Sequence, residues 1–440
     1  MAVFRKSYDA LTLFSLVMIS FIGVLLIYSS DYTSNGSLIK IEYIKQIVWV
    51  FSGFFIIFFI GRYDLKIVHG MIYPLYFLLI ASLIFTVLFG VTVNGARSWI
   101  GIWKLGGQPS EFGKIISILA LAKFYSSREE GHRSFFVFIF GFILILPVVL
   151  FVLLQPDFGT AVVYLNMFIF ISFFAGIDIH YILYFTLTGI FSFLFMVLPV
   201  WYEYKADMGS ILYLIFSNNF YFKVAFLVLV LVFLFSAIGF FISKYNLTIK
   251  FVYFYMLFMS SILLISAFFS KFISKFMKPY QVKRFLVFLD PNIDLKGAGW
   301  NLNQVKVAIG SGGIFGKGFL KGPYTHAKYV PSQSTDFIFS ILAEEFGFFG
   351  ASVVLVLFFF IFFRILIIMN KSKDVYMSLV LAGVLSLLFF HTSFNIGMSL
   401  GLLPITGIPL PFLSYGGSST ITFFLAMTLY FNIESIVTMD

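Results

Sequence analysis

The chain has 440 residues, 61% of them hydrophobic and 11% charged; water could not keep such a chain monomeric, which excludes a soluble globular enzyme and makes an integral membrane protein the expectation. It contains no cysteine, so disulfides and thiolate metal sites are excluded and the compartment cannot be read from redox chemistry. Lysine and arginine number 29 against 19 acids, a net +10, and in a membrane protein such a surplus orients the chain or holds anionic lipid and phosphate.

Arg5 and Lys6 lead into the first apolar run, with no Ala-x-Ala-like cleavage pattern between its end and Asp31, so that helix is expected to stay as an anchor. Spanning segments are predicted near residues 11–29, 44–60, 71–90, 112–124, 135–154, 160–176, 181–200, 224–242, 251–269, 337–368, 377–396 and 410–431, about twelve in all. They make one integral membrane domain over residues 1–440, an all-α polytopic helical bundle. The fourth segment is short for a full crossing, and 337–368 is long enough to tilt strongly or to begin outside the hydrocarbon.

With the N-terminus inside, the inner connections carry Arg62 and Lys66, Arg128 and Arg133, Lys244 and Lys250, and Lys371 and Lys373. This pattern fits the positive-inside rule and puts both termini in the cytoplasm. Outside lie Arg97 and Lys104, then the longest polar connection, residues 270–335. It holds Lys271, Lys275, Lys278, Lys283, Arg284, Lys296, Lys306, Lys317, Lys321 and Lys328. Charge alone leaves two readings of that loop: solvation beside lipid headgroups, or a cradle for an anionic substrate.

Four polar stretches interrupt the apolar pattern. "VNGARSWIGIWKLGGQPSEFGK", residues 93–114, opens on the turn formers Asn94 and Gly95 and carries Trp99 and Trp103, which suit a membrane interface. Pro109 or Ser110 can begin the next helix, with Glu111 at its positive end and Lys114 at i+3. That pair is either an interfacial cap or the polar wall of a cavity. "LLQPDFGTA", residues 153–161, is a tight turn in which Asp157 caps the helix from Thr160. "AIGSGGIFGKGFLKG", residues 308–322, is no Walker motif, since Ser311 replaces the first glycine and Gly318 follows Lys317. Its glycines permit close packing or a re-entrant turn, or else offer N–H groups to a pyrophosphate. "HTSFNIGMSLGLLPITGIPLPFLSYGGSST", residues 391–420, breaks at Pro404, Pro409 and Pro411, which a membrane tolerates only where protein or a water-filled cavity surrounds the backbone.

In "YVPSQSTDFIFSILAEEFG", residues 329–347, Asp336 stands at the mouth of an apolar run. Ser334 or Thr335 is a candidate cap for a helix starting near Phe337, with Asp336 suiting its dipole. The alternative is chemistry: one carboxylate beside basic residues serves as a general base while cations steady a phosphate leaving group.

Together "NGARSWI", "QPSEFGK", "QPDFGTA", "KPYQVKRFLVFLDP", "AIGSGGIFGKGFLKG", "TDFIFSILAEEFGF" and "NIGMSLGLLPITGIPLPFLSYGGSS" resemble the RodA/FtsW, or SEDS, family over nearly the whole chain, and "GSGGIFGKGFLKG" resembles its RodA-like elongation branch. The resemblance implies a peptidoglycan glycosyltransferase of the cytoplasmic membrane. Such an enzyme polymerises lipid II into glycan at the outer face, for cell-wall elongation and cell shape, beside a class B penicillin-binding protein. Nucleic acid is not an expected partner. Asp336 matches the family's catalytic aspartate, and Trp99, Glu111 and Lys114 match positions around its cavity. The substrate-binding or cavity set is completed by Gln304, Ser311, Lys317, Lys321, Tyr415 and Ser418. The departing pyrophosphate is met by basic loop residues or by a divalent cation such as Mg2+ or Mn2+.

Two departures stand out. Where the family commonly reads proline, glutamate, any residue, histidine, threonine, aspartate, this chain reads Pro331, Ser332, Gln333, Ser334, Thr335, Asp336. Residues 201–269 also insert what reads as an extra helical pair, which returns the chain to the same side. Two rival functions remain at this level: a transporter of lipid-linked precursors, for which broken helices and the Glu111/Lys114 pair are also suited, and a noncatalytic scaffold for the penicillin-binding partner.

Overall fold

The computed structural model describes residues 9–32, 37–38, 40–59, 61, 65–93, 95–102, 105–128, 134–205, 213–215, 218–243, 246–274, 279–294 and 297–438. Arg5, Lys6, Arg62, Asn94, Trp103, Lys104, Arg133, Lys244, Lys275, Lys278 and Lys296 lie outside the described residues. The chain divides into two compact units, Met1–Ile177 with Leu295–Asp440, and Asp178–Asp294.

The first unit opens with α1 (Ala10–Asp31), α2 (Glu42–Phe59) and α3 (Leu65–Phe89). A small antiparallel sheet follows, β1 (Val91–Val93), β2 (Ala96–Ile102) and β3 (Leu105–Gly107), in the order β1-β2-β3. Then come α4 (Pro109–Ser126), α5 (Phe135–Leu154) and α6 (Phe158–Phe174). The second unit holds α7 (Ile179–Tyr204), α8 (Asn219–Ile242), α9 (Leu247–Ser274), α10 (Pro279–Leu289) and a 3-10 turn at Pro291–Asp294. The first unit resumes with α11 (Ala298–Ser311), α12 (Pro323–His326), α13 (Ile338–Lys371), α14 (Val375–Leu400) and α15 (Gly417–Val437).

Among the described residues ten helices are long and apolar enough to cross a membrane, and α6 is a shorter apolar helix. Helix α4 adds a crossing-length segment of 18 residues that carries Glu111, Lys114 and Lys123. Each of the twelve predicted segments is therefore a helix, and the chain is an all-α polytopic membrane protein apart from the small sheet. In the first unit α14 and α15 are the inner helices, each 72% buried over its apolar window. Helix α14 packs on α4, α6 and α13, and α15 on α2 and α4.

Several helix ends differ from the sequence reading, and at three places the difference has a local reason. Helix α4 begins at Pro109 rather than Phe112; proline at the first helical turn lacks an N–H that would be unsatisfied anyway, so the polar start joins the helix instead of shortening it. Helix α13 is not one straight rod: Gly347, at φ 64 and ψ −163, interrupts it. Its 34 residues would span roughly 51 Å unbroken, against a hydrocarbon core of about 30 Å. Helix α15 starts at Gly417 rather than 410, because Pro409 and Pro411 bring no N–H to a helix ladder and Phe412 is left-handed at φ 63.

Residues 270–335 are largely helical, taking in the end of α9, α10, α11 and α12. In the second unit the two described lysines of that stretch, Lys271 and Lys283, have local partners. Lys271 lies 3.6 Å from the centre of the Phe222 ring, and Lys283 pairs with Asp294 at 3.1 Å.

Candidate active site

Asp336 is held by its backbone. Residues 331–337 make a tight strap between α12 and α13, closed by Asp336 N donating to Ser332 O at 3.0 Å. Three successive carbonyls of the strap are then each tied to a different donor. Ser334 O accepts from Tyr415 N at 2.8 Å, Thr335 O from Ser414 Oγ at 2.5 Å, and Asp336 O from Asn395 Nδ2 at 2.8 Å. The donors are themselves fixed: Ser414 Oγ accepts from Leu410 N at 2.9 Å, and Asn395 Nδ2 also donates to Ile408 O at 2.7 Å. The half-buried carboxylate sits beside Gly407, where an added Cβ would stand 3.7 Å from Oδ2. Gly407 has φ 76, a conformation that glycine adopts without strain.

The capping explanation for this stretch does not hold. The N-cap of α13 is Phe337, without a side-chain cap bond. Ser334 Oγ donates to Glu42 Oε2 at 2.8 Å and Thr335 Oγ1 to Ser332 O at 3.2 Å. Asp336 therefore precedes the first turn, which holds no acid.

Behind the loop 401–416 lies a buried ionic relay. Lys114 Nζ donates to Glu111 Oε1 at 2.7 Å, with side chains only 1% and 7% exposed. The same ammonium lies 3.3 Å from His391 Nε2, and His391 Nδ1 lies 3.1 Å from Pro409 O. With Nδ1 donating to that carbonyl, Nε2 is left to accept from Lys114. His391 and Asn395 are four residues apart on α14 and so share a face. One helix thus connects the ion pair of α4 to both the proline loop and the Asp336 backbone.

The sheet end joins the same network. Gln108 N donates to Ser418 Oγ at 3.2 Å, and Gln108 Nε2 to Asp157 Oδ2 at 2.8 Å. Asp157 caps α6, as the sequence led us to expect, accepting from Thr160 N at 3.1 Å. Trp99 is half-buried on β2, opposite Val91.

The glycine loop serves packing. A Cβ on Gly312 or Gly316 would run into the carbonyl of Ala343 or Glu345, and one on Gly347 would meet Ile314 O at 2.6 Å. The N–H groups of Lys317 and Gly318 donate to Glu344 O at 3.0 Å and Glu345 O at 2.9 Å, so they are spent on the break in α13 rather than offered to a phosphate. Ser311 Oγ turns back to Ala308 O at 2.8 Å, Gln304 is half-buried on α11, and Lys317 and Lys321 are exposed.

The structure thus ties Tyr415 to the strap of Asp336, Glu111 and Lys114 to the loop beside it through His391, and Ser418 to Gln108. Sequence reasoning missed His391, Asn395 and Glu42 as members of this network. The first two carried a signal, polar residues at i and i+4 in an apolar helix; Glu42 carried none. Tyr415 keeps its proton: burial, then Glu42 and Asp31, raise its phenol above the ordinary value.

The family model FTSW_RODA_SPOVE, described as "Cell cycle protein", matches residues 9–211 and 211–438. The chain is 39% identical over 434 residues to "Peptidoglycan glycosyltransferase RodA" of Treponema pallidum (strain Nichols), covering 98% of both chains. It is 29% identical over 442 residues to "Stage V sporulation protein E" of Bacillus subtilis (strain 168), again 98% of both. A solved structure from "Structural coordination of polymerization and crosslinking by a peptidoglycan synthase complex" shares the fold, with a TM-score of 0.65 at 24% identity over 99% of both chains. Matched from Asp9 to Thr438, with the quoted motifs in place, the chain belongs to the RodA/FtsW family.

Proposed function

We propose that this protein is a peptidoglycan glycosyltransferase that polymerises lipid II into glycan strands for cell-wall elongation. The observation that carries the reading is Asp336, a carboxylate whose own backbone and the two preceding carbonyls are tied to α14 and the proline loop. In the reaction Asp336 takes the proton from the acceptor 4-hydroxyl as its oxygen bonds to the donor anomeric carbon, and the bond from that carbon to the lipid pyrophosphate breaks with its electron pair leaving on the phosphate. The exposed lysines Lys317 and Lys321 are the cations of the first unit assigned to the pyrophosphate. Trp99, Gln304, Ser311, Tyr415 and Ser418 are the proposed cavity positions around the lipid-linked sugar. Among the described residues no group of three or more histidine, aspartate or glutamate side chains gathers to hold a metal ion.

The charge pattern supports insertion in the cytoplasmic membrane with both termini inside and the strap outside. A class B penicillin-binding protein is the proposed partner, supported by the peptidoglycan synthase complex whose chain shares this fold. The test is polymerisation of labelled lipid II in detergent by purified protein with its partner, with and without chelator. Glycan strands are expected, and a transporter without polymerase activity would make none. Full-length glycan from Asp336→Ala would show that the carboxylate is not the base.

A further inference from the structure

A separate cavity of about 270 Å³ lies against the strap, walled by residues 330–334 on one side and by Asp31, Lys40, Glu42 and Lys328 on the other. Two acids and two bases leave it without net charge, so a simple anion meets Asp31 and Glu42 and a simple cation meets the lysines. Most of the wall residues are tied by hydrogen bonds. Asp31, 1% exposed, accepts from Glu42 N at 2.9 Å and Tyr43 N at 3.3 Å. Glu42 pairs with Lys40 at 3.0 Å and accepts from Ser334 Oγ. Lys328 donates to Ser30 O, and burial lowers its pKa while Asp31 and Glu42 oppose that change.

Gln333 adds a second sign of a ligand. Its Nε2 donates to Ser30 O at 3.3 Å and Thr325 O at 3.2 Å, which fixes the amide orientation. Its Oε1 is buried without a hydrogen-bond partner among the described residues, an unused acceptor of the kind that calls for an explanation. The space occurs where this chain departs from the common family pattern. Ser332 and Ser334 replace a glutamate and a histidine, whose longer side chains would occupy part of it.

We propose that this cavity is a subsite for the zwitterionic part of the lipid II stem peptide, taking its free amine against Asp31 and Glu42 and its carboxylate against Lys40 and Lys328. The proposal rests on the glycosyltransferase reading. The volume falls below the roughly 300–1,000 Å³ of pockets that enclose whole ligands, which suits the end of a peptide. Ser334 is two residues from Asp336, at most about 7 Å of chain, so a peptide held here keeps its sugar near the strap.

The test has a binding arm and a turnover arm, both on the full chain. A fluorescein-labelled stem pentapeptide is titrated by anisotropy, beside the same peptide with its side-chain amine acetylated and its C-terminus amidated. Wild type is expected to bind the free peptide at least about tenfold more tightly than the blocked one, the worth of one charge-assisted hydrogen bond. Lys328→Met and Ser334→His, each checked for an unchanged thermal transition, are expected to erase that preference. In turnover they raise KM about tenfold for lipid II with a free stem and leave KM for blocked-stem lipid II within twofold. Equal binding of both peptides by wild type, or equal KM shifts for both substrates in the variants, overturns the subsite. Peptide binding without any polymer would sink the catalytic reading alone, and polymer made with one KM for both stems would sink the subsite alone.

Discussion

Asn395→Ala removes the donor that holds the Asp336 carbonyl. Asn395 is fully buried, and one amide nitrogen serves Asp336 O at 2.8 Å and Ile408 O at 2.7 Å. Ile408 is itself only 2% exposed, so water does not readily replace the lost donor there. Each hydrogen bond is worth about 1 kcal/mol net, and each buried carbonyl left unsatisfied costs about 1–3 kcal/mol. The variant should lose about 2–4 kcal/mol of stability. The ties at Ser334 O and Thr335 O remain, so the carboxylate shifts rather than leaves, and a displacement of about 1 Å costs on the order of 100-fold in rate. Steady-state polymerisation of lipid II, with thermal unfolding of the same preparation, reads both numbers. The expected pattern is a fall in kcat with KM little changed, since the contact is made to the proposed base and not to substrate. A folded Asn395→Ala protein whose kcat stays within threefold of wild type would refute the claim that this amide positions the base.

Three further outcomes are expected. Lys114→Met strands Glu111, whose Oε2 already lacks a hydrogen-bond partner among the described residues; breaking a buried pair this way costs about 3–5 kcal/mol, and Glu111→Gln with Lys114→Met should recover part of it in a denaturation midpoint. Gly347→Ala forces φ 64, ψ −163 on a residue with a Cβ, about 1–3 kcal/mol from the backbone alone, with a collision against Ile314 O besides, so a lower thermal transition and poor yield are expected. Tyr415 has a raised pKa, and a group raised in the fold contributes stability that is full below its unfolded pKa of about 10 and is lost as pH climbs past it. Tyr415→Phe should therefore flatten the fall in thermal stability above about pH 10 and leave the neutral range unaltered.

The spanning helices were legible because a bilayer admits few alternatives: long apolar runs must satisfy their own backbone, and a helix is the local way to do so. Helix ends were less legible where polar side chains belong to the helix, as in α4, or where apolar ones do not, as at Leu410 and Phe412. The break at Gly347 escaped notice because a single glycine in an apolar run reads as tolerated; its cause is the glycine loop, whose Ile314 and Gly316 pack against it from upstream in the chain. The ion pair of Glu111 and Lys114 was readable from i, i+3 spacing. Its link to His391 was not, because it spans 277 residues of sequence. Glu42 carried no motif at all, and it enters the site only because the α2 terminus packs beside the strap.

The serines at 332 and 334 pose the sharper question of how the Asp336 carboxylate, the proposed base, is placed without the acid and histidine common in the family. The ties at 334, 335 and 336 answer it through main-chain carbonyls, and a carbonyl is present whatever side chain its residue bears. Side chains at 332 and 334 are then free to change without moving the carboxylate. One of them has another contact: Ser334 Oγ reaches Glu42, which tethers α2 to the strap, and both residues line the cavity beside it. Position and neighbourhood of the Asp336 carboxylate are thus set by different atoms. Exchanging Ser334 for a larger residue should alter what the site accepts before it alters how fast Asp336 works.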